Sequence, residues 1–82
     1  MRMFLISDNN DTLAGMRLSG VEGVVLHDGA EVAGKLDSLV SDGTVGVILI
    51  TRKLMALVKD HVEETRKKHQ TPLILEIPDR HG

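Results

Sequence analysis

The chain predicts an α/β fold: a doubly wound, four-stranded parallel sheet in the order 2-1-3-4, flavodoxin- or receiver-like, with three helices. Three observations lead there. Short aliphatic runs alternate with amphipathic segments of helical length along the whole sequence. Glycines and helix-capping residues fall between the two kinds of segment. One run, Val45-Gly46-Val47-Ile48-Leu49-Ile50-Thr51, is apolar almost throughout, as a strand buried on both faces requires.

Met3 to Ile6 forms the first apolar run, and Ser7-Asp8-Asn9-Asn10-Asp11 ends it with turn and cap residues. Thr12 to Leu18 is long enough for a short helix, closed by Gly20 as a left-handed cap. Glu22 to Leu26 carries the β-branched pair Val24-Val25 and reads as the second strand. Asp28 stands three residues before Glu31, a capping-box-like start. The helix that follows sets Val32, Leu36, Leu39 and Val40 on one face and ends at Gly43. After the third strand, a third helix is expected from about Arg52 to Lys68. Leu54, Leu57, Val58, His61 and Val62 form its inward stripe, and Arg66, Lys67 and Lys68 suit the negative end of its dipole. Pro72 introduces a last strand, Leu73 to Ile77, and Pro78 closes it. Glu76 and the flanking prolines mark that strand as an edge. Residues 1–78 are expected to make a single α/β domain, with 79–82 the exit segment of a short or truncated C-terminal tail.

Composition narrows the function. The 82 residues are 41% hydrophobic and 27% charged, which fits a packed core rather than disorder. Phe4 is the single aromatic residue, so that core is aliphatic. A net charge of −2 with no Trp or Tyr gives neither phosphate attraction nor base-stacking platforms, which argues against nucleic acid. The absence of cysteine removes disulfides, thiolate metal sites and a thiol nucleophile. The N-terminus meets Ser7-Asp8 too early for a signal-peptide core, and no apolar run approaches the length of a membrane span.

In a doubly wound sheet, ligands bind beyond the carboxyl ends of the strands. The residues expected there are Ser7 to Asp11, His27-Asp28, Thr51-Arg52-Lys53 and Asp79-Arg80-His81. The loop after strand one has no glycine before Gly15, so it is neither a dinucleotide fingerprint nor a P-loop. A phosphorylated receiver would need an acceptor aspartate after strand three and a lysine after the last strand. This chain has Thr51-Arg52 and Pro78-Asp79 at those places, and is a strand and a helix short. His27, His61, His69 and His81 show no paired ligand spacing, and His61 is expected to be a partly buried packing residue. No serine sits in a nucleophile elbow. Two features are not purely structural: Arg52 and Lys53 follow the expected helix cap Thr51, where positive charge opposes the dipole, and the exit Asp79-Arg80 is polar. A small receiver-like or flavodoxin-like signalling or ligand-binding domain is the alternative reading, motivated by Asp8 and Asp11.

Several segments in this order resemble the F subunit of V-type and A-type ATPases. They are Met3-Phe4-Leu5-Ile6 followed by Asp8; Gly15-Met16-Arg17-Leu18-Ser19-Gly20-Val21, similar to the family's Gly-Phe-x-Leu-Ala-Gly-Val; Val47-Ile48-Leu49-Ile50-Thr51; and Pro72-Leu73-Ile74-Leu75-Glu76-Ile77-Pro78. Met16 replaces an aromatic and Ser19 an alanine. The resemblance implies a non-catalytic subunit of the central rotor stalk, with no cofactor and no metal, that binds the coiled-coil D subunit. Through D it would join the A/B catalytic ring and the membrane rotor, in a machine coupling ATP hydrolysis or synthesis to ion transport. It also implies a cytoplasmic location, peripheral to the membrane through the complex. The mixed charges of the sheet's rim, Asp8, Asp11, Arg52, Lys53, Asp79 and Arg80, are the expected interface, since such charges favour orientation over raw affinity.

Overall fold

A computed structural model describes residues 2–78. Strand β1 (Arg2–Ser7) leads to α1 (Asn10–Leu18), β2 (Glu22–Val25), α2 (Gly29–Ser41) and β3 (Val45–Thr51). Two helices then follow, α3 (Arg52–Leu57) and α4 (Lys59–Lys68), before β4 (Leu73–Ile77). The strands form one sheet in the order β2-β1-β3-β4, every pair parallel. That is the predicted order, with β4 on the edge.

Local chemistry sets the helix ends. Asn9 caps α1, its Oδ1 accepting from the backbone N–H of Thr12 at 2.7 Å, so the helix begins two residues earlier than its apolar pattern suggests. At the other end Gly20 has φ 84°, where a side chain would be strained. Its N–H donates to the Arg17 carbonyl and that of Val21 to the Met16 carbonyl, the paired bonds of a Schellman closure. Asp28 caps α2 through the N–H of Ala30.

The expected third helix is broken. Val58, at φ −125° and ψ 24°, leaves helical geometry and separates α3 from α4. The break changes which residues face inward. Leu54, Met55, Val58 and Val62 are buried, whereas Leu57, assigned to the inward stripe, is 55% exposed. His61 is partly buried, as expected, but its ring meets a carboxylate rather than the apolar core. Its Nε2 lies 2.8 Å from Asp37 Oδ1, so it links α4 to α2 at the surface.

The two faces of the sheet are packed unequally. Phe4, Ile6, Ile48, Ile50 and Ile74 form one large core with Val32, Leu36 and Leu39 of α2 and with Leu54, Val58 and Val62 of the α3–α4 segment. On the opposite face Leu5, Leu13 and Leu49 make a smaller cluster, joined by half-buried Met16, Val25, Val47 and Ile77. Val45 belongs to the first core because the β1–β3 register slips: Arg2 pairs with Val45 but Met3 with Val47, leaving Gly46 as the extra residue of a bulge. Phe4 is buried, and the Lys35 ammonium lies 4.9 Å from its ring centroid.

At the amino ends of the strands Arg2 acts as a clamp. Its guanidinium reaches Glu22 at 2.9 Å, Thr44 Oγ1 at 2.8 Å and Asp42 at 3.6 Å, joining β2, β1 and the loop before β3. Asp42 accepts a 2.7 Å bond from the Thr44 hydroxyl.

This packing can be tested at two places. A Cβ on Gly23 would lie 2.6 Å from the Leu5 carbonyl oxygen and 2.8 Å from Leu13 Cδ1, so α1 and β1 leave no room for one. Gly23→Ala should therefore cost about 1–3 kcal/mol, read as a lower urea midpoint at unchanged slope. The Asp42 carboxyl is held below the ordinary carboxylate range, chiefly by the Thr44 hydroxyl and then by the Thr44 N–H, against an opposing effect of burial that exceeds the lesser help from Arg2. With the folded value lowered, its stabilising contribution is complete above the ordinary carboxylate range and is lost as pH falls through the folded value. Carboxyl NMR titration of Thr44→Val should show the Asp42 midpoint moving back up.

Candidate functional site

The carboxyl ends of β1 and β3 meet as the fold class requires, but their polar groups are committed to structure. Ser7 and Thr51 are both fully buried. The Ser7 hydroxyl donates to the Asn9 carbonyl at 2.8 Å and accepts from the Asn9 N–H at 3.0 Å, pinning the turn that caps α1. Thr51 Oγ1 accepts from the Asp8 N–H at 3.3 Å, fastening the β1 exit to the β3 exit. Thr51 therefore provides no side-chain cap for α3, contrary to the expectation from sequence. Neither hydroxyl is presented to solvent as a nucleophile.

The acidic residues are placed unequally. Asp11 is exposed in the first turn of α1, where its charge suits the dipole. Asp8 is half-buried, and its Oδ1, like Thr12 Oγ1, is buried without a hydrogen-bond partner. Such oxygens each cost about 1–3 kcal/mol relative to satisfied ones. Among the described residues no group of three or more His, Cys, Asp or Glu is arranged to hold a metal ion.

The basic residues behave differently from a free anion site. Arg52 is paired with Glu76 of β4 at 3.4 Å, an exposed bond between helix and edge strand. It also lines a cleft of about 410 Å³ beside β4, shared with Met55, Lys59, Glu63 and Arg66. Lys53 is exposed next to it. Asp79 and Arg80 lie outside the described residues. The structure thus sets half-buried Asp8 and exposed Asp11 on either side of the start of α1, and ties Arg52 to β4.

A second surface was not singled out from the sequence. Register places Met3, Val47 and Leu73 in one row and Leu5, Leu49 and Leu75 in the next, all on the face that carries α1. Helix α1 packs over β1 and β2. Along β4 this face is left open: Leu73 is 54% and Leu75 46% exposed, whereas Leu49 of β3 is buried. Leu73-Ile74-Leu75 signalled the strand, but consecutive apolar positions do not say which face lacks a cover.

Comparison with known proteins identifies the lineage. The family model described as ATP synthase (F/14-kDa) subunit matches residues 3–82. The chain belongs to that family. It is 36% identical over 75 residues to the F subunit of the A-type ATP synthase of Methanothermobacter thermautotrophicus, covering 90% of this chain and 70% of that protein. The corresponding F subunit of Pyrococcus abyssi is 34% identical over 87 residues, covering 100% and 79%. That of Methanocaldococcus jannaschii is 28% identical over 83 residues, again covering 100% and 79%. The resemblance drawn from the strand and Gly-Val segments is thereby established, and with it membership of a rotary ATPase. No helix among the described residues is long and apolar enough to cross a membrane.

A magnesium or phosphate site at the rim would show itself directly. Titrating the labelled protein with Mg²⁺, acetyl phosphate and nucleotides should leave the amide signals around Asp8, Thr12 and Thr51 unmoved. Localised, saturable shifts there would establish a ligand site instead.

Proposed function

We propose that this member of the F-subunit family is a non-catalytic component of the central rotor stalk, which binds the coiled-coil D subunit and turns with it. It joins the A/B catalytic ring and the membrane rotor through D, and takes part in coupling ATP hydrolysis or synthesis to ion transport. Its place is on the cytoplasmic side, peripheral to the membrane through the complex. The observation that carries this reading is a family match from residue 3 to residue 82 on a sheet whose rim hydroxyls, Ser7 and Thr51, are used up in holding the fold.

The packing suits an adaptor. A part that transmits torque needs rigidity and a complementary surface rather than a pocket. The large aliphatic core on the α2–α4 side supplies the first. The rim charges Asp8, Asp11, Arg52 and Lys53, with Asp79 and Arg80 following β4 in the chain, contribute to the second by fixing orientation and discriminating against wrong partners.

One observation favours a second reading, a small receiver-like ligand-binding domain: the unpartnered buried oxygens of Asp8 and Thr12 at the switch point of the sheet.

Co-expression with the D-type subunit of the same organism separates the two. The stalk reading expects a stoichiometric complex by size-exclusion chromatography at both low and moderate salt. Separate elution at both salts would remove it.

A further inference from the structure

The two edges of the sheet are finished differently. On β4, Arg66 of α4 donates to the Ile74 carbonyl, and a proline stands at either end. On β2 nothing comparable is present. The Leu26 N–H donates to the Ser7 carbonyl, and Ser7 pairs with Val25, so residues 22, 24 and 26 turn their backbone groups toward β1. The N–H and C=O of Gly23 and Val25 therefore point out of the sheet, and among the described residues nothing bonds to them. Both cores are also unsealed here. Val24 and Leu26 stay half-buried against the larger one, Val21 and Val25 against the smaller. A cleft of about 490 Å³ runs along this edge, lined by Phe4, Val24 and Lys35 from one face and Arg17, Val21 and Gly23 from the other.

We propose that two copies of this chain pair β2 to β2, antiparallel, about a two-fold axis at Val24, making one continuous sheet. In that register Gly23 of each copy exchanges both backbone bonds with Val25 of the other, so every outward group finds a partner. The two Val24 side chains meet across the axis on the α2 face.

The helices permit the approach. Helix α1 packs over β1 and β2, so its axis stands about one strand spacing from the seam. The two α1 helices then lie about 10 Å apart, an ordinary packing distance. Helical spacing sets Asn10, Ala14 and Arg17 in one row, on the side from which Arg17 lines the cleft. Small Ala14 is at its middle, and the antiparallel alignment brings the Arg17 end of one helix against the Asn10–Asp11 end of the other. On the opposite face Glu31 and Lys35 lie one turn apart on α2, and Lys35 of each copy stands opposite Glu31 of the other. Among the described residues Arg17, Glu31 and Lys35 have no ion-pair partner within the chain, whereas Glu22 at the same edge is met by Arg2. Exposed His27 and Asp28 follow the strand and fall at the outer ends of the seam. An extended segment of another protein would gain the same backbone bonds, but neither the Val24 contact nor these reciprocal charges. The flank measures about 13 Å along β2 and about 30 Å through helix, sheet and helix, on the order of 400 Å² per copy. That is about half of a standard interface, so the dimer is weak and concentration-dependent.

The test uses the full 82-residue chain alone, in sedimentation equilibrium from about 10 μM to about 1 mM. A monomer–dimer equilibrium is expected, with amide exchange at Gly23 and Val25 slowing as the dimer forms and that of residues 73–77 unchanged. Val25→Pro removes an outward donor without touching the bonds to β1, and should weaken the dimer about tenfold or more. Leu75→Lys, on the far edge, should dimerise as wild type. Lys35→Glu and Glu31→Lys should each weaken the dimer several-fold, and the two together should restore it. Circular dichroism and urea midpoints establish that each variant is folded; if Val25→Pro is not, the charge-reversal set decides. A monomer at every concentration overturns the proposal. So does a folded Val25→Pro that dimerises as wild type, or a dimer whose newly protected amides lie in β4. Single reversals that weaken the dimer with a double variant that stays weak would overturn the antiparallel pairing.

Discussion

The handedness of parallel crossovers decides where each helix of this molecule can lie. Going from β1 to β2 moves one way across the sheet, while going from β2 to β3 and from β3 to β4 moves the other way. Right-handed crossovers then put α1 on one face and α2, α3 and α4 on the opposite face. Among the described residues, four strands carry three helical elements on one side and a single nine-residue helix on the other. The unequal cores, the close approach of α1 at Gly23 and the uncovered leucines of β4 all descend from that count.

Much of this could be read from the residues. The four aliphatic runs indicated the strands, their alternation with helices indicated a parallel sheet, and the prolines with Glu76 marked β4 as an edge. Gly20 and Asp28 announced their caps because a positive φ and an N-terminal acceptor are chemical requirements of the residue itself. What escaped the sequence were properties shared between elements. Nothing in Leu57-Val58-Lys59 signals a break, since Val58 leaves helical geometry only where the chain turns to stay over the core. His61 has helical spacing with Val58 and Val62, and the partner that draws it outward, Asp37, is on another helix. Asn9, rather than the aspartates beside it, caps α1, because Ser7 turns the chain to aim it.

The same limit applies to the candidate site. The residues of the rim could be named from the topology, and the absence of a nucleotide fingerprint could be read from the loop after β1. The occupations of Ser7 and Thr51 could not, because a hydroxyl spent on a turn and one offered to a substrate look alike in a sequence. The open side of β4 was hidden for a related reason. Apolar residues at consecutive positions tell how much of a strand avoids water, but only the placement of the helices tells which half still meets it.

The edge strand has a consequence for how such a surface can persist. A bare β4 beside exposed leucines would invite sheets to join edge to edge. Instead Arg66 reaches from α4 to hold the Ile74 carbonyl, the Arg52–Glu76 pair lies along the same border, and Pro72 and Pro78 deny donors at either limit. A strand arriving at this border finds one carbonyl already taken and prolines at both limits, which makes it a poor template for polymerisation.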